Sequence, residues 1–378
     1  MLEVIKVDTQ NKGQVNEFID FHYKLYQGTP QWIPPFYSDM YLVMDRNKHP
    51  FYEKNSADFF MAKRNGKVVA RIAATENTVF NEYHHTNKAQ FYYYDSIDNQ
   101  EASDSVFNAA FQWARERKLD SIVGPKGFGI LDGYGIQIEG NENRAMMTMM
   151  NYNYPYYRQL VEMIGFEKEV DFVSCYITRE QFILPSKFQE VARKVEERGY
   201  FHVKTFESKK ELRNWSWRIG QTYNMTFVNN WEYYPLTERE IQFLLDSILT
   251  IADPKMIKVI MHKDDIIGFL FGFPDISAAL QRQKGKVGLT RPWGIIDILK
   301  ELKKSTFISL NGAGVLPEFQ GRGANALLYN EMARFLQGSQ FEAAELTQVA
   351  ETAIQMRKDL KTVGGKEYKN HRVYRKSI

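Results

Sequence analysis

Apolar positions along the chain follow two spacings, one near two residues and one near 3.6, and these alternate in a fixed order. Leu2 to Val7 alternates as a short strand. Val15, Phe18, Ile19, His22 and Leu25 then share one face of a helix predicted over Asn11 to Tyr26. The loop Gly28-Thr-Pro-Gln-Trp-Ile-Pro-Pro35 leads to a second helix ending near Met44. Phe59 to Ala73 is the clearest hairpin, because Asn65-Gly66 suits a two-residue turn between apolar strands. The pattern next predicts a strand at Ala89 to Asp95, a helix at Ala102 to Arg117 and a short strand at Ser121 to Gly124. A helix at Tyr154 to Ile164 and a long strand at Val170 to Thr178 follow.

After a linking helix at Ser186 to Arg198 the same order recurs. It runs through a strand at Phe201 to Phe206, helices at Leu212 to Tyr223 and Thr237 to Ile251, and a hairpin at Ile257 to Phe271. A strand ending at Val315, a helix from Ala324, a strand at Ala343 to Thr347, a helix at Thr352 to Val363 and a strand at Tyr368 to Lys376 complete it. The repeat predicts an α+β fold of two tandem domains, residues 1–182 and 183–378. Each is expected to be a mixed, mostly antiparallel sheet flanked by helices. The second half also holds an insertion, Pro274 to Ser305, with a short basic amphipathic helix at Ile295 to Lys304. That helix is expected to pack its apolar face on its own domain; the alternative is peripheral contact with an anionic membrane surface.

Composition narrows the partners. The formal net charge is +3, and no aromatic–basic motif points to nucleic acid. Cys175 is the one cysteine, which excludes an intrachain disulfide and fits a small apolar core position in a reducing compartment. The start Met1-Leu-Glu-Val-Ile-Lys-Val-Asp8 lacks a signal-peptide pattern, so a cytoplasmic protein is expected. His84-His85 have no carboxylate or thiol at ligand spacing, and no metal site is expected.

The candidate chemistry lies in Val315 to Tyr329. Pro317 ends the strand, having no N–H for a ladder. Gly321 and Gly323 let the backbone turn sharply and approach a ligand closely. The first turn of the following helix leaves N–H groups open at the positive end of its dipole, and Arg322 adds a charge suited to phosphate. Together they form an anion site; an ordinary glycine-bearing connection is the alternative.

Gln320-Gly-Arg-Gly323-Ala, preceded by Gly314-Val-Leu-Pro-Glu318, resembles the strand, turn and helix with which GNAT acyltransferases hold the pyrophosphate of coenzyme A. Asn325 departs from that pattern, standing where most members have Gly or Ala. The element order of each half is also the GNAT order. Nearly the whole chain resembles a bacterial family of tandem GNAT proteins, the YghO-like proteins. The matching stretches include Trp32-Ile-Pro-Pro35, Asn151-Tyr-Asn-Tyr-Pro-Tyr-Tyr157, Asn230-Trp231, Pro235-Leu-Thr237, Pro274-Asp275 and Ala344-Glu345-Leu346.

The resemblance implies an acyltransferase using acetyl-CoA or a longer acyl-CoA as co-substrate, without a metal. Val315, Gln320, Gly321, Arg322, Gly323, Ala324 and Asn325 would hold the coenzyme. Only the second half carries the turn. Its counterpart, Asp95-Ser-Ile-Asp-Asn-Gln-Glu101, has no glycine and three acids, which repel a pyrophosphate and favour a helix N-terminus. In GNAT folds the strand after the second hairpin splays from its neighbour and holds the pantetheine arm, which makes the Val315 N–H the candidate oxyanion donor. Glu345 and Glu351 are candidate bases. The tyrosine often found in the last helix is missing from Thr352 to Val363, which leaves Tyr329, Tyr368 and Tyr374, with Tyr374 taken as the catalytic candidate. Asn230, Trp231 and Tyr234, with Tyr156 from the first half, are candidates to bind the acceptor, and Met146 to Met150 offers adaptable apolar surface. The acceptor would be a small-molecule amine or an amino lipid such as a sphingoid base, since some relatives resemble bacterial ceramide synthases. The alternative is a non-catalytic coenzyme-binding or structural protein of the same fold.

Overall fold

The computed structural model of the chain describes residues 2–129, 132–146, 150–231, 233–288 and 292–378. Met147 to Met149, within the predicted methionine surface, lie outside the described residues. In chain order the first half comprises β1 (Leu2–Lys6), α1 (Lys12–Leu25), α2 (Tyr37–Met44), β2 (Ser56–Arg64), β3 (Lys67–Glu76) and α3 (Thr78–His84). It continues with β4 (Lys88–Ser96), α4 (Gln100–Glu116), β5 (Ser121–Gly124), β6 (Ile136–Glu139), α5 (Tyr156–Met163) and β7 (Glu167–Thr178). Next come α6 (Ser186–Arg198), β8 (His202–Lys204), α7 (Lys209–Thr226), α8 (Glu238–Ile251), β9 (Ile257–His262) and β10 (Asp265–Pro274). The remainder is α9 (Ser277–Gln283), α10 (Pro292–Lys304), β11 (Phe307–Val315), α11 (Ala324–Gln337), β12 (Ala343–Ala350), α12 (Ile354–Thr362) and β13 (Lys366–Ser377).

Two compact units result, and they do not follow the chain division at 182/183. The first is Met1–Val173, Ile276–Lys300 and Lys369–Ile378; the second is Ser174–Asp275 and Glu301–Tyr368. The last strand therefore belongs to the first unit. There β13 pairs antiparallel with β5, Tyr374 opposite Gly124, and Arg372 makes a two-bond fork to Asp171 of β7 at 2.8 and 2.9 Å. Most of the insertion also belongs to it. The Gln281 amide donates to the carbonyls of Pro30 and Trp32, both at 2.9 Å, and Tyr37 N–H donates to the Gly285 carbonyl. Gly285 sits at φ +69, and a Cβ there would meet the Pro35 carbonyl at 2.1 Å.

In the first unit the strands run β1-β2-β3-β4-β5-β13, with β6 on β13. The β2–β3 turn is made by Asn65 at φ 53 and Gly66 at φ 75, the two positive values that match the twist of a hairpin. Helix α4 buries Val106, Phe107, Ala110 and Phe111 on one face of the sheet with Ile72, Ala74 and Phe91. Helices α1 and α2 bury Phe18, Ile19, Met40 and Met44 on the other with Phe59 and Met61.

Asp95 is the polar centre of this core, not a helix-terminus acid as the turn comparison suggested. The N-cap of α4 is Asn99, which accepts from Ala102 N–H, and Glu101 pairs with Arg64. The Asp95 carboxylate accepts from Arg71 at 2.7 Å, from Tyr26 at 3.0 Å and from Tyr157 at 3.2 Å, and His22 lies 2.9 Å away. Burial alone would raise its pKa, but His22, Arg71 and these bonds bring it down to about 2.

The second unit orders its strands β12-β11-β10-β9-β8. Helices α7 and α8 cover one face, where Leu212, Ile219 and Leu249 meet Val259, Phe269 and Phe271. Helices α6 and α11 cover the other, where Val195, Leu327 and Leu328 meet Ile260, Leu270 and Val315. Cys175 is free and buried, and its thiol is pushed up to about 11, mainly by desolvation.

Arg71→Met should destabilise the first unit by ~3–5 kcal/mol at pH 7, because it leaves the Asp95 charge buried without its cation. The Asp95 contribution is present above the unfolded carboxyl pKa and is lost as pH falls through about 2. The gap between wild type and variant should therefore narrow in acid. Denaturant melts from pH 7 to pH 2 measure it, and a constant gap below 1 kcal/mol would contradict this account.

Candidate active site

The site follows from where two strands stop pairing. Parallel strands β11 and β12 are in register at Phe307 with Ala343, Ile308 with Ala344, Ser309 with Glu345 and Leu310 with Leu346. Pairing ends there, although β11 continues to Val315 and β12 to Ala350. Gly312 at φ +86 marks the irregularity in β11, and the β10–β11 register shifts at the same level. Beyond it Gly268 faces Val315, and the adjacent bond runs from Leu316 N–H to the Ile267 carbonyl. That bond makes Gly268–Val315 a wide, non-bonded pair, so Val315 turns its own N–H away from β10. Ala313, two residues earlier, does the same. Both peptide groups point to the side from which β12 has parted.

At the far end of this gap stands the glycine turn. Gly321 (φ +73) is exposed, and a Cβ there would meet nothing within 4 Å. Gly323 (φ +90) is the N-cap of α11 and supplies no side-chain cap, and the first turn of α11 contains no acid. The first N–H groups of α11 are thus left to an external acceptor. Arg322 is exposed, with its guanidinium 5.6 Å over the Phe319 ring. The Gln320 amide donates to the Val315 carbonyl at 3.0 Å, which ties the turn to the strand.

No family model matches the chain. It is 26% identical to Protein YghO of Escherichia coli over 383 residues, covering 97% of this chain and 94% of that protein. It is 24% identical to the bacterial ceramide synthase of Caulobacter vibrioides over 397 residues, covering 100% and 98%. Among solved structures, a tandem GNAT protein from the clavulanic acid biosynthesis pathway matches all of this chain and 98% of its own, at 10% identity and TM-score 0.57. The fold is the tandem GNAT fold. The chain is similar over its whole length to YghO-like tandem GNAT proteins.

In this GNAT fold the vertex of the splay holds the expected Glu345 together with Ser309, Asn311 and Thr347, polar side chains that the sequence reading missed. Glu345 is fully buried on β12, level with Ser309 of β11. The Asn311 amide donates to Ser309 Oγ at 2.9 Å, and Ser309 Oγ lies 3.4 Å from Thr347 Oγ1. The signal was present as Ser309-Leu-Asn311 and Glu345-Leu-Thr347, polar residues at every second place in buried strands. The register also sets how far the two outward N–H groups lie from Glu345. Val315 is six residues beyond the level of Glu345, ~20 Å along a strand, whereas Ala313 is four residues beyond, ~13 Å. Chemistry that uses Glu345 therefore belongs at the vertex, with Ala313 nearer to it and Val315 further along the arm. Glu351 lies half-buried just past the end of β12.

The other expected site residues fall in both units. Tyr374 lies in the first unit's core and donates to Glu162 at 3.0 Å, so it is not in the unit that carries the turn. Tyr156 is also in the first unit, where it donates to the Ser96 carbonyl and stacks near Tyr154. Asn230, Trp231 and Tyr234 belong to the loop after α7. Asn230 N–H donates to the Phe227 carbonyl, Trp231 is half-buried and Tyr234 is buried. Asn224 of α7 accepts from Leu236 N–H at 3.0 Å and so folds that loop back on its helix. Tyr329 of α11 reaches α12, donating to Asp359 at 3.3 Å. The apolar cavity between α7 and α8, lined by Leu212, Ile219, Gly220, Leu245 and Phe271, measures about 30 Å³. That space is only the size of one or two waters and is no preformed chamber for a long acyl chain.

The two glycines of the turn should differ in cost. Gly321→Ala is strained only by its φ and should cost ~1 kcal/mol. At Gly323 the new methyl also meets Val195 at 2.7 Å and Val191 at 2.9 Å. Gly323→Ala should therefore cost ~2–4 kcal/mol. Chemical denaturation of both variants checks this, and equal costs would contradict it.

Proposed function

We propose that this chain transfers an acyl group from an acyl-CoA to an amine. One observation carries the reading: the splay beyond Leu310 and Leu346, lined by outward N–H groups of Ala313 and Val315, leads to the open glycine turn of α11. A pyrophosphate fits that turn. Its donors are backbone N–H groups, Gly321 leaves room for close approach, and Arg322 supplies a positive charge. The counterpart in the first unit does not fit, because Asn99 caps α4 and Glu101 adds a negative charge there. The relative named a bacterial ceramide synthase and the tandem GNAT neighbour support acyl transfer as the class of reaction.

Coenzyme A supplies an already activated thioester. The chain's task is to place the amine, take its proton and stabilise the developing oxyanion, whose collapse breaks the C–S bond and releases the coenzyme A thiolate, which takes a proton from water. Glu345 is the group we assign to proton removal, through an intervening water. The Ala313 N–H is the donor we assign to the oxyanion, and Val315, Gln320 to Asn325 and Arg322 hold the arm and the phosphates. The acceptor enters along the Asn230 to Tyr234 loop at the end of α7, as a small-molecule amine or an amino lipid. The second reading, a coenzyme binder without catalysis, is favoured by α12, Ile354 to Thr362, which has no tyrosine to protonate the leaving thiolate.

Calorimetric titration with coenzyme A, acetyl-CoA and palmitoyl-CoA tests the site. Arg322→Glu should weaken binding at least tenfold, ~1.4 kcal/mol. Glu345→Gln should keep the coenzyme Kd and lower the rate of thiol release in the presence of amines by ~10²–10⁴. No binding of any of the three ligands would end the acyltransferase reading. Binding without thiol release would establish the second one.

A further inference from the structure

Helix α10 leaves much of its apolar surface exposed to water, more than the expected packing allows. Trp293 is 77% exposed, Leu299 53%, Ile296 41% and Ile295 38%. Its inner side is formed by Gly294, which is buried beside Val287 and Gln283, by Asp297, and by the half-buried Ile298 and Leu302. Asp297 is held by Arg282 at 2.8 and 3.1 Å and by Gln283 at 2.9 Å, which fixes the rotation of the helix. The charges sort in the same sense. The acids, Asp297 and Glu301, are half-buried, while Lys300, Lys303 and Lys304 are exposed. The outward surface thus combines a tryptophan and three aliphatic side chains with lysines and no acid. Globular proteins seldom leave such a patch open unless something covers it.

We propose that α10 is a docking element for an anionic lipid bilayer surface. Charge complementarity selects that occupant. Lysine ammonium groups on the solvent face meet anionic headgroups, and Trp293, Ile296 and Leu299 enter the headgroup–acyl boundary between them. Trp293 suits the interfacial level, being apolar in its rings with one N–H donor. The helix lies on the surface and does not cross it: no helix among the described residues is long and apolar enough to span a membrane. The inference is independent of the acyl-transfer reading, since none of these side chains belongs to the β11–β12 site.

Co-sedimentation of the full chain with vesicles tests it. Vesicles of 30% phosphatidylglycerol in phosphatidylcholine are compared with phosphatidylcholine alone, at 0.1 and 0.5 M NaCl. Binding should require phosphatidylglycerol and fall at least tenfold at the higher salt, where surface charges are screened. Two double variants, Trp293→Ala with Leu299→Glu and Lys300→Glu with Lys303→Glu, should each lower binding at least tenfold. Thermal melts should leave both variants folded, because the altered side chains face water. Binding that is unchanged in both variants, or equal for the two lipid mixtures, would overturn the proposal. So would a concentration-dependent dimer in gel filtration that Leu299→Glu dissolves, because the patch would then be covered by a second copy.

Discussion

The second unit is organised by a loss of hydrogen bonds. After Leu310 and Leu346, strands β11 and β12 cease to pair, and every later feature of the site depends on that parting. Backbone N–H groups at Ala313 and Val315 turn to the gap, where a sheet would have consumed them. The strand then ends at Pro317, and the chain re-enters as α11 with its first N–H groups uncapped. A ligand with a polar, hydrogen-bonding arm and an anionic end would satisfy both sets of donors. Close packing keeps the gap in place. Gly314 lies so near the end of α7 that a Cβ would meet Thr226 at 2.3 Å, and Gln320 ties the turn back to Val315.

The first unit repeats the order of elements and closes the equivalent gap. Its parallel pair, β4 and β5, is in register only from Lys88 to Gln90. The chain after β5 folds straight back, with Lys126 N–H donating to the Phe91 carbonyl and Phe128 packed among Phe51, Phe59 and Tyr93. At the end of β4 the buried Arg71–Asp95 pair stands in the core, and Asn99 caps α4, whereas α11 has no side-chain cap. Two units of one topology therefore differ where their strands part: side chains pack there in the first, and backbone N–H groups face the gap in the second.

Much of this architecture was readable from apolar spacing. Helix α6 matches its predicted span, and the Asn65-Gly66 hairpin and the turn at Gln320 to Gly323 were each visible in a few residues. Helices α3 and α9, of seven residues each, and the four-residue β6 were not, although β5, also of four residues, was read at Ser121 to Gly124. The association of β13 and of the 276–300 segment with the first unit rests on long-range pairing that no local pattern encodes. Asp95 looked like a capping acid because its partners, Arg71, Tyr26 and Tyr157, are distant in sequence. The polar vertex at Ser309, Asn311 and Thr347 was legible as a period-two signal, but small polar residues in a strand do not by themselves tell a buried vertex from a solvated face. Helix α10 was amphipathic in sequence, but which side faces inward was set by Asp297 finding Arg282 and Gln283.

Amide hydrogen exchange with and without coenzyme A tests the central claim most directly. If the splay of the second unit is the coenzyme site, ligand should slow exchange in peptides covering Asn311 to Leu327 and leave those covering Asp95 to Glu101 unchanged. Protection at Asp95 to Glu101, or none at Asn311 to Leu327 under saturating ligand, would contradict the account.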